Sequence, residues 1–329
     1  MVSLNAVKAL ITGAGGMLGG DLRRAALEAG DEVVALDRAA LDVTDAGACV
    51  AALEHARPDV AFNCAAWTDV DGAEADEEGA RRLNEDGARN VAAAAAAVGA
   101  AVVQVSTDYV FAGDGIMAGD GALGRTAATP AGGPALGRAD AATEGDPAPG
   151  GTGASAAAPR PYVESDPTGP RSAYGRTKLA GERAALEANP RTAVVRTAWL
   201  FGVGGRNFVE TMLGLADRDE VRVVADQVGC PTYTGHLASG LLALARSGAT
   251  GVHHLAGGGH CSWFDLAVAT FQDAGIDCRV VATTTAEFPR PAPRPAWSVL
   301  GRERPDGVEL PPWREGLRAY LAERAHPRR

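Results

Sequence analysis

The sequence is poor in the features that mark disulfide-bonded, zinc-binding and membrane-spanning proteins. Its five cysteines are scattered, odd in number and without a C-x-x-C pair, which argues against a disulfide framework and a zinc site. No apolar run approaches the length that spans a bilayer, and no N-terminal stretch combines the charged and apolar regions of a cleavable signal. We therefore expect free thiols, most of them buried, and a cytoplasmic protein.

Concentrated positive charge is also scarce. The 329-residue chain has a formal net charge of -10, and only the C-terminal tail, ERAHPRR, groups basic residues. A negative chain repels both the phosphate backbone of nucleic acids and anionic lipid. We therefore expect neither nucleic acid nor a membrane surface as a partner.

Apolar runs alternate with helical patterns from the N-terminus to Phe111. Strands are predicted at 8–12, 32–37, 59–66 and 101–111, and helices at 17–29, 45–56 and 75–98. This alternation predicts parallel strands joined by right-handed crossovers, hence an α/β fold with a doubly wound sheet. Ligands of such sheets bind at the carboxyl ends of the strands.

The composition changes sharply after Phe111. Residues 112–160 contain four large apolar side chains and no aromatic one, and are otherwise mostly Gly, Ala, Pro, Thr and Asp. Burial in such a stretch cannot offset the entropy lost on ordering. We interpret it as a low-complexity, disordered insertion.

The remaining segments predict two domains. Further strands are expected at 193–202 and 251–257, while the segments between and after them are richer in Pro, Trp and Arg. The predicted dinucleotide-binding domain comprises 1–111, 162–202 and 236–257. The predicted smaller substrate-binding domain comprises 203–235 and 258–329.

A glycine-rich turn, TGAGGMLGGDL (residues 12–22), separates the first strand from the first helix. Gly13, Gly16 and Gly19 allow the backbone to approach a pyrophosphate held at the helix N-terminus, where Met17 and Leu18 begin the helix. In this position the turn predicts a Rossmann-type dinucleotide site. A glycine-rich turn alone would be weak evidence.

Two charged residues follow the second predicted strand. Asp37 stands where a carboxylate would bond the adenosine ribose and favour NADH. Arg38 could instead hold the 2′-phosphate of NADPH. The sequence leaves the choice between these cofactors open.

Three further residues suggest proton transfer. Thr107 ends the fourth strand, and Tyr174 and Lys178 lie four apart on a predicted helix, so that phenol and ammonium share one face. Separately, these are also typical of a strand-end turn and of a buried tyrosine over a surface lysine. Together, they predict hydride transfer to a carbonyl with Tyr174 as general acid, its pKa lowered by Lys178, which can also bond the nicotinamide ribose.

These motifs resemble the extended short-chain dehydrogenase/reductase family. Longer stretches, among them NCAAWTDVDGAE (63–74), PYVESDPTGPRSAYGRTKLAGE (161–182) and DQVGCPTY (226–233), resemble the dTDP-4-dehydrorhamnose reductases over nearly the whole chain apart from 112–160. The resemblance implies reduction by NADPH or NADH of the C4 ketone of dTDP-4-dehydro-6-deoxy-L-mannose to dTDP-L-rhamnose. It leaves open a homodimer and a requirement for Mg2+.

The resemblance also implies roles for individual residues. The implied catalytic residues are Thr107, Tyr174 and Lys178. Besides the glycine turn, Asp37, Arg38, Tyr174 and Lys178, the cofactor would contact Asp42, Val43, Cys64, Ala65 and Ala66. The implied substrate-binding residues are Trp67, Thr107, Asp108, Tyr109, Trp199, Asn207, Arg290 and Arg294. The chain departs from the family in its insertion and in Trp67, where a tyrosine is expected.

Several alternatives remain open. The enzyme could reduce the 4-ketone of another dTDP-deoxysugar in secondary metabolism, or the chain could be a non-catalytic dinucleotide-binding regulatory subunit. Trp199 could belong to the core, and Arg290 and Arg294 to a solvated loop. His253 and His254 are expected inside the sheet without a catalytic role, and the acids Asp69, Asp71 and Glu74 in solvent rather than around a metal.

Overall fold

The structure, a computed structural model, describes residues 6–116 and 159–326. The chain divides into two units, 116–160 and the remainder. In the first, the backbones of Ile116 and Arg160 pair in an isolated antiparallel bridge. The predicted insertion therefore lies mostly outside the described residues, which omit 117–158.

The larger unit alternates strands and helices along the chain. The strands are β1 (Lys8–Thr12), β2 (Glu32–Leu36), β3 (Val60–Asn63), β4 (Ala101–Thr107), β5 (Thr192–Thr197), β6 (Leu200–Phe201), β7 (Glu220–Val224), β8 (Val228–Gly229), β9 (Thr232–Tyr233), β10 (Gly251–His254), β11 (Cys261–Ser262) and β12 (Arg279–Thr283). The helices are α1 (Met17–Glu28), α2 (Ala46–Ala56), α3 (Val70–Ala75), α4 (Glu77–Arg81), α5 (Gly87–Ala97), α6 (Ala173–Ala188), α7 (Phe208–Leu213), α8 (Thr234–Ser247), α9 (Trp263–Ala274) and α10 (Trp313–Ala325).

Six of the strands form the main sheet, in the order β10-β5-β4-β3-β1-β2. Every neighbouring pair is parallel. The predicted doubly wound α/β sheet is thereby confirmed. His253 and His254 lie buried on β10, inside the sheet as expected.

Apolar side chains cover both faces of this sheet. On one face, Ile11 and Phe62 pack with residues of α1 and α8, such as Leu22 and Leu241. On the other face, side chains of β1, β3 and β4 pack with α2, α5 and α6. Because both faces are buried, the strands are continuous apolar runs rather than alternating ones.

The helix predicted at 75–98 is broken into several elements. Asp69 caps α3 by accepting a hydrogen bond from Gly72, and Asp76 starts α4 in the same way through Gly79. Between α4 and α5 the chain forms a π-helical turn over Arg82–Asp86. A single 3.6-residue periodicity was therefore the wrong prediction for this segment.

The strands predicted at 101–111 and 193–202 are also shorter than expected. After β4 the chain turns into a short 3-10 helix at Asp108–Val110, because the Thr107 hydroxyl accepts a hydrogen bond from the Tyr109 amide. β5 ends at Thr197, and Trp199 then adopts a left-handed backbone with φ of 48°. This turn leads the chain out of the main sheet, so that β6 pairs with β9.

The C-terminal elements have hydrophobic clusters of their own. One contains Phe201, Tyr233 and Tyr320, and another contains Val221 and Phe271. Three two-stranded pairs, β6 with β9, β7 with β12 and β8 with β11, accompany them. Among the described residues, none of the helices has the length and apolar composition needed to cross a membrane.

Candidate active site

The glycine turn brings the start of α1 against the end of β3. Gly13 has a positive φ of 65°, and a Cβ there would lie 2.7 Å from the Ala65 nitrogen. A Cβ on Gly19 would lie 2.3 Å from the Gly13 carbonyl oxygen. The turn therefore tolerates no side chain at either position, and it lies against half-buried residues that follow β3, namely Cys64, Ala65 and Ala66.

The N-terminus of α1 is built to receive an anion. Its N-cap residue, Gly16, is extended and provides no side-chain cap. The amide groups at Met17 and Leu18 therefore have no capping side chain, and the positive end of the helix dipole lies beside a backbone without bulk. These features fit the pyrophosphate of a dinucleotide.

The charged residues after β2 begin beside the glycine turn, since a Cβ on Gly15 would lie 3.4 Å from the Asp37 Cβ. One oxygen of Asp37 accepts hydrogen bonds from the amides of Ala39 and Ala40, both at 2.9 Å, while the neighbouring Arg38 is exposed. Asp42 is exposed, and its bonds to Thr44 lower the pKa of its carboxyl. The Val43 side chain is buried in the core. Only its backbone is therefore available to a cofactor.

The helix α6 places Tyr174 in its first turn. Ser172 caps the helix by accepting a hydrogen bond from the Gly175 amide at 3.1 Å. A Cβ on Gly175 would lie 2.3 Å from the Tyr109 carbonyl oxygen, so the missing side chain allows α6 to lie close to the end of β4. As a result, Tyr174 shares a hydrogen bond with Thr107, and its ring meets that of Tyr109 edge-on at 5.6 Å.

Burial dominates the electrostatics of this pair. It raises the pKa of Tyr174 to about 12, with the Thr107 bond lowering the pKa and the nearby charge of Asp108 raising it further. The predicted lowering by Lys178 is therefore wrong for this geometry. A phenol with a raised pKa is fully protonated near neutral pH, which suits a proton donor.

Lys178 is buried, with 4% of its surface exposed. Its Nζ donates to the Val105 carbonyl of β4 at 2.7 Å. Burial lowers the Lys178 pKa to about 8, while Glu182 and Cys64 oppose the shift. The ammonium is thus held against the strand, close to the residues after β3.

Asp108 lies near the hydroxyl groups of Thr107 and Tyr174. It is buried, and one of its oxygens accepts a hydrogen bond from Thr107 at 3.1 Å. Burial raises the pKa of its carboxyl to about 6, with Ser298 and Thr107 lowering it. The resemblance predicts a substrate contact for Asp108, whereas the structure shows its contact with Thr107.

Trp67 packs beside Tyr174. Trp67 and Tyr174 lie against one small cluster of buried alanines, and the Trp67 amide donates to the Asn84 side chain at 2.8 Å. Asn84 also donates to Thr177 of α6 at 3.0 Å. Asn84 was missed by the sequence analysis because its position depends on the π-helical turn, a feature often found at functional sites.

The segment that contains Ala292 and Arg294 contacts Asp71, which lies in α3 close to Trp67. Arg294 pairs with Asp71 at 2.9 Å, and the Ala292 amide donates to the same carboxylate at 3.1 Å. Arg294 also lowers the pKa of the Tyr109 phenol, which burial raises. Arg290 is more exposed and lies over the Phe288 ring at 5.4 Å.

The acids predicted to lie in solvent are therefore only partly so. Asp71 binds the Arg294 segment, and Glu74 accepts a hydrogen bond from the Ala173 amide at the start of α6 at 2.8 Å. Asp69 caps α3. Within residues 6–116 and 159–326, no three His, Cys, Asp or Glu side chains are grouped as metal ligands.

Trp199 and Asn207, the last two residues expected near the substrate, both contact residues of the C-terminal elements. The Trp199 ring stacks on Trp263 at 3.5 Å with an angle of 2° between the planes. Asn207 caps α7 through Glu210, and its amide also donates to the Gly202 carbonyl at 3.0 Å. Trp199 keeps part of its surface exposed, so it belongs both to an aromatic cluster and to the surface.

Comparisons with known proteins show that the chain is similar to reductases of dTDP-linked sugars. A family model described as RmlD substrate binding domain matches residues 7–127 and 151–326. The dTDP-4-dehydrorhamnose reductase of Streptomyces griseus is 42% identical over 95% of this chain and 91% of its own. A probable dTDP-4,6-dihydroxy-2-methyloxan-3-one 4-ketoreductase of Streptomyces antibioticus is also 42% identical, over 94% and 92%.

A solved structure shows the same similarity. The crystal structure of dTDP-4-dehydrorhamnose reductase from Bacillus anthracis in complex with NADP has a TM-score of 0.81 to this chain at 32% identity. It covers 97% of this chain and 99% of that protein.

Proposed function

Because the chain belongs to the family described as RmlD substrate binding domain, we propose that it is an NAD(P)H-dependent dTDP-4-dehydrorhamnose reductase. It reduces the C4 ketone of dTDP-4-dehydro-6-deoxy-L-mannose and forms dTDP-L-rhamnose. The observation that carries this proposal is the bond between Thr107 and Tyr174 at the carboxyl end of β4, beside buried Lys178.

The chemistry divides between cofactor and chain. The nicotinamide, when bound, supplies the hydride. The amides at the start of α1 bind the pyrophosphate, and Lys178 bonds the nicotinamide ribose. Thr107 orients Tyr174, whose phenolic proton passes to the substrate oxygen as the ketone becomes an alcohol. Trp67, Tyr109 and Arg294 line the sugar nucleotide, and Arg294 and Arg290 bind its diphosphate.

The direct test is turnover by the purified protein. We expect oxidation of NADPH or NADH when dTDP-4-dehydro-6-deoxy-L-mannose is added, with dTDP-L-rhamnose identified by NMR. A variant that lacks the phenol, Tyr174→Phe, serves as the negative control. Absence of cofactor oxidation with every dTDP-4-keto-6-deoxy sugar would favour the regulatory-subunit alternative.

A second candidate is reduction of another dTDP-deoxysugar. Two observations favour it: the similarity to the Streptomyces antibioticus 4-ketoreductase is as high as that to the reductase of Streptomyces griseus, and Trp67 replaces the expected tyrosine next to Tyr174. The same assay with a panel of dTDP-4-keto sugars distinguishes the two. A higher kcat/KM for a sugar other than the rhamnose precursor would support this candidate.

The cofactor preference gives a prediction for Asp37. We expect Asp37→Ala to weaken NADH binding about tenfold relative to NADPH, because a carboxylate that accepts ribose hydroxyls contributes a charge-assisted hydrogen bond. Dissociation constants from fluorescence titration measure the ratio. Since Asp37 also shapes the turn through Ala39 and Ala40, Asp37→Asn is the matched control that keeps an acceptor there. An unchanged preference would remove Asp37 from this role.

The opposite change tests the neighbouring cation. Arg38→Ala should weaken NADPH relative to NADH if Arg38 holds the 2′-phosphate.

We propose the domain division in the same terms. Residues 1–111, 162–202 and 236–257 bind the dinucleotide, and 203–235 with 258–329 bind the sugar nucleotide. A homodimer and a cytoplasmic location complete the proposal.

A further inference from the structure

Three consecutive residues of β4 contact three residues of α6. The α6 residues are spaced by four, so they lie on one face of the helix. The three pairs are Thr107 with Tyr174, the Val105 carbonyl with Lys178, and Ser106 with Glu182. Two of these pairs belong to the proposed catalytic machinery, and the third has no role in it.

The third pair is fully buried. Glu182 accepts from the Ser106 hydroxyl at 2.6 Å and from Arg196 twice, at 2.9 and 2.8 Å. The side chains of Arg196 and Glu182 are 5% and 3% exposed. Arg196 lies on β5 directly opposite Ser106 in the register of the sheet, with its guanidinium over the Phe111 ring. Glu182 thereby connects α6 to both strands.

A buried ion pair needs an explanation other than stability. Removing two charges from water often costs as much as their attraction returns, so apolar residues would serve the fold equally well. The position of Glu182, one helical turn beyond Lys178, suggests what the pair does instead.

The surroundings of Lys178 support this. The groups that act on its ammonium are Glu182 on α6, Cys64 after β3, and the Val105 carbonyl on β4. Arg196 on β5 donates two hydrogen bonds to Glu182. Burial lowers the pKa of Lys178, and among the groups that oppose this shift Glu182 has the largest effect.

We propose that Glu182 is a positioning residue for the reduction. It fixes the face of α6 that carries Tyr174 and Lys178 on β4, and it places a negative charge beside the Lys178 ammonium. The reaction itself rests on the proposed function above. The contacts of Glu182 do not depend on it.

The test replaces both charges at once, with Glu182→Gln and Arg196→Gln in one protein. Both substitutions keep hydrogen-bonding groups, and neither member of the Glu182–Arg196 pair is left as an unpaired buried charge. We expect kcat to fall about 10- to 100-fold because the acid is misplaced, with KM for the sugar nucleotide within about threefold. Without the negative charge, Lys178 loses its proton at lower pH. The alkaline limb of the pH–kcat profile should therefore move to lower pH.

A matched control shows what loss of a buried pair does elsewhere. Asp31, just before β2, and Arg246 on α8 form another ion pair, with side chains 1% and 21% exposed. Asp31→Asn with Arg246→Gln should lower Tm and leave kcat and the pH profile unchanged. A Glu182/Arg196 variant that behaves like this control, with only a lower Tm, would overturn the proposal.

If the double variant does not fold, a single substitution tests the positioning role of Glu182. Ser106→Ala removes only one bond to Glu182, so kcat should fall severalfold while the alkaline limb stays in place. Wild-type kcat in this variant would overturn the proposal.

Cofactor binding tests the role of Glu182 without any sugar substrate. The dissociation constant of NADPH, followed from about pH 6 to about pH 10, should rise at lower pH in the double variant than in wild type. A protein inactive on every sugar would refute the proposed function, whereas identical NADPH titrations would refute the role of Glu182.

Discussion

Replacing Tyr174 by phenylalanine is expected to lower kcat by about 10²–10⁴-fold, the usual contribution of a positioned general acid. The dissociation constant for NADPH should stay within about threefold of wild type, because Lys178 and the start of α1 are untouched. Steady-state turnover and a fluorescence titration measure the two quantities. The phenol is the group that Thr107 orients, and phenylalanine keeps the ring between its neighbours.

Another buried tyrosine provides the matched control. The Tyr162 hydroxyl accepts hydrogen bonds from the amides of Gly113 and Gly115, and its ring stacks on Phe111. Tyr162→Phe should therefore lower Tm while kcat stays near wild type. Turnover of Tyr174→Phe within tenfold of wild type would contradict the assignment of the acid.

The pH profile follows from the same electrostatics. With a pKa of about 12, Tyr174 carries its proton throughout the working range. Lys178, with a pKa of about 8, loses its charge first as the pH rises. We therefore expect kcat/KM to fall as the pH rises through about 8, with the lysine rather than the tyrosine setting this limb.

Local patterns were enough to predict part of the site. The glycine turn predicts its own position between β1 and α1, and the spacing of Tyr174 and Lys178 places both on one helical face. Each of these depends on a few neighbouring residues. For the same reason the doubly wound sheet could be predicted from the alternation of apolar runs.

The remaining features depend on residues distant in the sequence. The direction of the Tyr174 pKa shift is set by burial, which no local pattern reports. The contact of Glu182 with Arg196 requires the register that places Ser106 opposite Arg196. Asn84 reaches Trp67 only because the helix widens into a π-helical turn.

Lys178→Met is expected to impair both cofactor binding and turnover and, at neutral pH, to stabilise the fold. Loss of the ammonium removes the ribose contact, so kcat/KM should fall by about 10³-fold, the product of weaker cofactor binding and poorer orientation. Stability should rise because burial holds the Lys178 pKa at about 8, well below its ordinary 10.5. The folded state thus binds this proton more weakly than the unfolded state does.

The pH dependence of that gain gives the decisive measurement. Below about pH 8 the whole cost of burying the charge applies, on the order of 3 kcal/mol for this difference in pKa. Between about 8 and 10.5 the unfolded lysine is charged and the folded one is not, so wild-type stability rises with pH. The Val105 carbonyl keeps a bond from Gln104 when Lys178 is lost, so little of the gain is cancelled. Urea unfolding should therefore show Lys178→Met more stable by roughly 1–3 kcal/mol at pH 7, with the advantage fading above about pH 10. A variant less stable at pH 7, or a gain that does not change with pH, would show that the buried ammonium does not cost the fold what its surroundings imply.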